Sequence, residues 1–197
     1  MSTALAEQIA ATAARLVVEE GLDYGPAKRR AAQALGVNAR AASLPDNQQV
    51  EDEVRDYLAL FCTETQPVEL AALRAVALDW MQRLSAFRPH LTGAVWRGTA
   101  SRLNNVHLQL YCDDSKQAEL GLIDLGVDYD VGSTAGPRGE AVDVLSVSSR
   151  SAALAERVTV HLTVLDHDDL RGALKPDATG HTQRGDLAAL RRLMEPA

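Results

Sequence analysis

Asn105, His107 and Gln109 alternate with Val106, Leu108 and Leu110 in a stretch that reads as a β-strand from Val106 to Tyr111. Successive strand side chains point to opposite faces, so two amides and an imidazole share one side and the aliphatic residues the other. Asp143, in Ala-Val-Asp-Val-Leu, and His161, between Val160 and Leu162, occupy polar positions on two later candidate strands. With the valines and leucines turned to one core, Asn105, His107, Asp143 and His161 are expected to converge on the other face of the sheet. Such a face is either solvated or covered by a helix, or it is a ligand pocket, or it holds a metal. Two imidazoles and one carboxylate, His107, Asp143 and His161, suffice for an open transition-metal site. A divalent metal is thus the one cofactor these residues suggest, and nitrogen donors favour zinc, nickel or copper over magnesium.

Other polar residues weigh less. Arg97 and Arg102 flank Gly98, and the planar guanidinium fork suits phosphate. Arg102 reads as an exposed charge, and Arg97 stands evenly between that and a phosphate ligand. Arg138, in the glycine-rich stretch Gly132 to Gly139, reads as a solvated loop charge. The run Leu165-Asp166-His167-Asp168-Asp169 reads as a strand end, a helix N-cap and an acidic first turn rather than a metal cluster. His90 and His181 read as isolated loop histidines. Cys62 and Cys112 form neither a disulfide framework nor a zinc pattern.

The segment Gly93 to Leu108, GAVWRGTASRLNNVHL, resembles the signature of the nucleotidyltransferase superfamily: Gly-Ser, then Arg-Gly, then Asp-x-Asp opening a strand. Gly93-Ala94 stand where Gly-Ser is expected, and Arg97-Gly98 stand where many bacterial members carry Arg-Gly. Asn105 and His107 occupy the two positions of the metal-binding carboxylates. The resemblance covers about Leu91 to Val147. It implies that Gly93 and Ala94 let the backbone approach phosphates, with Arg97 and Gly98 beside them. It also implies a third carboxylate on a later strand, for which Asp143 is the best match and Asp128 and Asp130 are alternatives. Magnesium wants anionic oxygens, which a neutral amide and an imidazole do not supply.

The elements that would position these residues fall into two textures. Helical periodicity covers Thr3 to Glu20, Pro26 to Leu35, Gln48 to Phe61 and Pro67 to Phe87. Gly21 and Gly36 suit helix stops, and Ser43-Leu44-Pro45-Asp46 reads as a loop leading into an acidic helix start. In the fourth segment Leu70, Leu73, Ala77, Trp80, Met81 and Leu84 line one apolar face. In the first two, Leu16, Val17, Ala31, Ala34 and Leu35 are expected to pack as a hairpin, with Lys28, Arg29 and Arg30 outward. After Arg88-Pro89 come short strands: Val106 to Tyr111, Val127 to Val131, Ala141 to Val147 and Arg157 to Leu165, with a helix from Ser115 to Gly126. Gly132 to Gly139 reads as a loop. Short helices over His167 to Leu174 and Asp186 to Met194 enclose a polar loop from Lys175 to Arg184. The expectation is an α+β protein: a helical region, 1–88, and a mixed-sheet nucleotidyltransferase-like domain, 89–197.

A chain of 197 residues with 46% hydrophobic content can bury a proper core. Its formal charge of -7, with no basic stripe, disfavours nucleic acid as a partner. Three basic residues in one turn are too thin for a DNA-reading helix. No apolar run nears the roughly 20 residues that span a bilayer, and the N-terminus lacks the pattern of a secretory signal, which points to a bacterial-type cytoplasm. P-loop, nucleophile-elbow, zincin and dinucleotide-binding motifs are absent. Three functions follow as expectations. The first is a degenerate nucleotidyltransferase-like protein that binds a nucleotide or phosphorylated ligand at Gly93, Ala94, Arg97, Gly98, Asn105, His107 and Asp143. The second is a protein-interaction module or homo-oligomer with no small ligand. The third is an active transferase with an altered metal site.

Overall fold

The computed structural model describes residues 3–37, 44–176 and 180–195. It is an α+β fold with seven α-helices and one six-stranded mixed sheet among the described residues. No helix is long and apolar enough to cross a membrane among them.

Four helices come first: α1 (Thr3–Glu20), α2 (Tyr24–Ala34), α3 (Asn47–Phe61) and α4 (Gln66–Arg83). Ile9, Ala13, Leu16 and Val17 of α1, Ala27, Ala31 and Ala32 of α2 and Val50, Val54 and Leu58 of α3 bury together. Ala34 and Leu35, expected in this hairpin, are exposed, because Ala27 and Ala31 at four-residue spacing already fill the contact with α1. α3 opens with a capping box in which Gln49 N donates to Asp46 Oδ1 and Asp46 N donates to Gln49 Oε1. Gly21 ends α1 at φ +69°, and a Cβ there would lie 3.1 Å from Leu103 Cβ, so both conformation and space favour glycine.

By packing, the chain divides into one unit reaching to Glu69 and including Thr99–Asn104, and a second comprising Leu70–Gly98 and the residues from Asn105 onward. The division falls inside α4 rather than at residue 88, and hydrogen bonds explain the returning segment. Gln66 Nε2 donates to Ala100 O at 3.0 Å, Arg102 N donates to Glu69 Oε2 at 2.9 Å, and Thr99 Oγ1 donates to Glu51 Oε1 at 3.1 Å. Glu51 is only 3% exposed and also accepts from Tyr24 and Arg55.

In the second unit β1 (His90–Thr92) leads through α5 (Gly93–Arg97) to β2 (Val106–Cys112), then α6 (Lys116–Asp124), β3 (Tyr129–Ala135), β4 (Ala141–Ser151), β5 (Glu156–Asp166), β6 (Arg184–Gly185) and α7 (Leu187–Met194). The strand order is β3-β4-β5-β2-β1-β6, antiparallel throughout except for the parallel β2–β5 pair. β3 runs to Ala135, so the first half of the expected glycine loop is strand. The helix expected over His167 to Leu174 is a short 3-10 turn, His167–Leu170, in which Asp166 Oδ1 accepts from Asp168 N at 2.8 Å. β1 and β6 lie where the sequence suggested loops, His90 opening the one and Arg184 the other.

Leu91, Leu108, Leu162 and Leu145 stand opposite one another across β1, β2, β5 and β4, and each is fully buried. Val106, Val160 and Val147 form a second buried row on the same face. This apolar face therefore uses one parity of β1, β2, β4 and β5, and the other parity carries the polar residues of the middle of the sheet.

Candidate functional site

Register fixes what shares the polar face. Asp130 of β3 pairs with Ser146, Ser146 with His161, His161 with His107, His107 with Thr92, and Thr92 with Arg184. One row crossing all six strands is thus polar from end to end, and its middle is accessible: His107 is exposed, and Ser146, His161, Thr92 and Arg184 are half-buried. The neighbouring row on this face carries Thr163, Gln109 and His90.

His107 and His161 face each other with ring centroids 5.0 Å apart and planes inclined by 30°. Asn105 Nδ2 lies 3.1 Å from His161 Nε2, and His161 Nδ1 lies 2.8 Å from Ser146 Oγ. With the amide donating, Nε2 accepts and the ring proton sits on Nδ1, donating to the serine. Asn105 thus orients His161 as well as standing beside His107. Gly93 adopts φ +74°, and a Cβ there would meet His107 Cδ2 at 3.7 Å. The glycine is required by its backbone conformation more than by crowding.

Asp143 does not join this group. It has the parity of Leu145 and Val147, whereas Val142, Val144 and Ser146 share the face of His161. The triad His107, Asp143 and His161 is therefore not assembled, since its carboxylate emerges on the other side of the sheet. Among the described residues no three His, Cys, Asp or Glu side chains are grouped to hold a metal ion. The later-strand position in register with His107 is His161 itself.

Asp143 instead lines a cleft of about 500 Å³ where β2 and β5 end and β4 begins, with Cys112, Asp113, Glu140 and Asp166. Arg138 is an exposed charge, as expected, and it also pairs with Asp169 there at 2.6 Å. Burial and the carboxylates Asp114, Asp113 and Asp166 push the Cys112 thiol above its ordinary pKa, which makes it a poor nucleophile.

α5 is held from behind. Arg74 Nε donates to Val95 O at 3.2 Å, and burial lowers the guanidinium pKa. Gly98 closes the helix at φ +84°, donating to Ala94 O at 2.9 Å. Arg97 ends α5, half-buried and already engaged, and Arg102 lies outside this unit, in the segment bound to Glu69.

Sequence reasoning missed Arg184, Thr92 and Ser146. Arg184 Nη1 donates to Gln109 Oε1 at 2.8 Å and to Tyr111 Oη at 3.2 Å, while Tyr111 donates to Gln109 Oε1 at 3.1 Å. His90, 4% exposed, stacks edge-on against Tyr111 and donates Nδ1–H to Arg88 O at 2.8 Å. Desolvation lowers its pKa, the Arg88 hydrogen bond and Asp186 raise it, and Arg184 lowers it. A sequence signal existed only for Ser146, as one of the alternate polar residues Ser146, Ser148 and Arg150.

No family model, curated protein or solved structure matches this chain.

Proposed function

We propose that this chain is a nucleotidyltransferase-like protein that binds a nucleotide or another phosphorylated ligand without efficient transfer. The observation that supports the reading is the donor set: the turn from β1 through Gly93 and α5 leads to β2, where His107 shares a face with His161 and Asn105, just before the strand, bonds to His161. Amide and imidazole stand where two-metal chemistry would need carboxylates. Such groups hold a phosphate by hydrogen bonds but do not retain the cations that neutralise a departing pyrophosphate. Gly93, Ala94 and Gly98 would give the ligand backbone approach, and Asn105 and His107 would contact it, with Arg97 beside them. Asp143 has no part in this site, and an active transferase using His107 with Asp143 loses its geometric basis. A bacterial-type cytoplasm suits this reading, since nucleotides abound there and Cys62 and Cys112 stay unpaired.

The test is thermal denaturation with nucleoside triphosphates, with and without Mg²⁺ or Mn²⁺. At 100 times its dissociation constant a ligand stabilises by about 2.7 kcal/mol, which in a chain of this size raises Tm by about 5–11 °C. The expected shift is independent of metal and is lost in His107→Ala. Absence of a shift with every nucleotide refutes the proposal.

A second reading, a protein-interaction module or homo-oligomer, is favoured by the apolar surface of the helical unit. Leu60 is 73% and Phe61 69% exposed, with Val68 and Leu103 also exposed, and Tyr57, Phe61 and Leu103 line a groove of about 330 Å³. Light scattering of the purified chain tests it: a stable dimer dispersed by Phe61→Glu supports this reading, and a monomer at all concentrations counts against the homo-oligomer.

A further inference from the structure

We propose that Arg184 is the phosphate anchor of the polar row, binding an anionic phosphate group through Nη2 of its guanidinium. The inference rests on the phosphorylated-ligand reading and adds to it the residue that carries the charge.

Three observations lead there. First, Arg184 spends only one nitrogen internally: Nη1 serves Gln109 and Tyr111. Its Nε is buried without a hydrogen-bond partner, and among the described residues no ion pair or other contact engages Nη2. Nε is closed to an incoming oxygen, so Nη2 is the nitrogen left to donate a charge-assisted hydrogen bond to a phosphate oxygen. Second, the nearest carboxylate in sequence, Asp186, is committed elsewhere, since its Oδ1 accepts from Ala189 N at 2.8 Å as the cap of α7. The guanidinium is therefore held by Gln109 and Tyr111, and among the described residues it forms no ion pair with Asp186. Third, Arg184 stands in register with Thr92 and, one strand further, with His107. Strands lie about 4.8 Å apart, so its backbone is about 10 Å from that of His107, which places a phosphate at one end of a ligand whose remainder lies over the imidazoles. The row has a polarity: Arg184 ends it on β6 and Asp130 on β3, about 24 Å away at the same spacing. An anion is drawn to the β6 end and repelled from the other.

This assignment differs from the expectation attached to Arg97, which is already engaged. It also explains how phosphate charge would be met with no carboxylate-held cation on this face.

The experiment is isothermal titration of the full chain, in EDTA, with ADP, inorganic pyrophosphate and adenosine, on the wild type, Arg184→Met, Arg184→Lys, Arg97→Ala and His107→Ala. The expected result is that Arg184→Met loses at least tenfold in affinity for ADP and its preference for ADP over adenosine falls toward unity. Arg184→Lys, charged but without the guanidinium that Gln109 and Tyr111 hold, falls between the two and keeps the test usable if the methionine variant folds poorly. Pyrophosphate binding as tight as that of ADP would identify the phosphate group alone as the ligand, and ADP binding more tightly would identify a nucleotide; both support the anchor. ADP binding unchanged in Arg184→Met but weakened in His107→Ala or Arg97→Ala overturns the Arg184 assignment and leaves the ligand reading standing. Equal weakening of ADP and adenosine makes Arg184 merely structural and also overturns it. No binding by the wild type overturns both.

Discussion

Gly185→Ala offers a sharp test of how α5 is fixed to the sheet. A Cβ at residue 185 would lie 2.1 Å from Trp96 Cη2 and 2.3 Å from Cζ3, distances no packed carbon pair tolerates. Gly185 does not have a positive φ, so alanine meets no backbone strain and the whole cost is steric. The indole cannot retreat freely, because its Nε1 donates to Thr182 O at 2.7 Å. Overpacking costs about 1–3 kcal/mol and the lost hydrogen bond about 1 kcal/mol, against roughly 0.4–1 kcal/mol gained from a stiffer unfolded chain. The net loss is about 2 kcal/mol, or about 4–8 °C in Tm. Chemical denaturation of four proteins measures it: wild type, Gly185→Ala, Trp96→Leu and the double variant. In the Trp96→Leu background the alanine should cost almost nothing, giving a coupling of about 2 kcal/mol. A loss below about 0.5 kcal/mol in the wild type, or an equal loss in both backgrounds, refutes the packing argument.

Two further perturbations probe buried polar groups. Glu51→Ala removes the acceptor for Thr99, Tyr24 and Arg55 and leaves the buried Thr99 hydroxyl unsatisfied, so a loss of about 2–4 kcal/mol is expected, with Glu51→Gln milder. Equilibrium unfolding reads it, and equal losses in the two variants would show that the acceptor oxygen is not what matters. For His90 the folded pKa is lowered by burial, so below the ordinary histidine value of about 6.5 the unfolded chain binds the proton more readily. Its contribution is therefore present above that pH and is lost as pH falls toward the lowered folded value. Stability measured at pH 7.5 and 5.5 should drop more in the wild type than in His90→Gln, and parallel drops would exclude His90 as the source.

The parts of this fold visible in the sequence are those with long periods. α1 and α3 carry apolar residues at three- and four-residue spacing over several turns, and their observed limits, Thr3–Glu20 and Asn47–Phe61, fall within a residue of the expected ones. β1 and β6, three and two residues long, are too short for any alternation to register, and with them Thr92 and Arg184 went unseen. The error at Asp143 has a different origin. Within Ala141 to Val147 both parities contain valine, so the short reading could not say which side is apolar. The full strand to Ser151 adds Ser148 and Arg150 to the side of Ser146, which leaves Leu145 and Val147 as the core pair and turns Asp143 to their face. A strand cut four residues short was enough to move a carboxylate through the sheet.

That single parity separates two kinds of chemistry on one scaffold. Carboxylates are plentiful at the sheet end, where Asp113, Glu140, Asp143, Asp166 and Asp169 line the cleft, and Arg138 offsets part of their charge. The long polar row holds none between Asp130 at its edge and Arg184 at the other, only serine, two imidazoles and threonine. A hard divalent cation needs anionic oxygens that converge, which the row lacks, whereas a phosphate needs directed N–H and O–H groups and one uncompensated positive charge. The row carries no acid there but imidazoles at His107 and His161, the Asn105 amide and Ser146 hydroxyl that hold His161, and Arg184, whose Nη1 alone is engaged. Nitrogen donors rather than acids on this face therefore suit an anion better than a hard cation, while Leu91, Leu108, Leu162 and Leu145 pack the aliphatic side beneath.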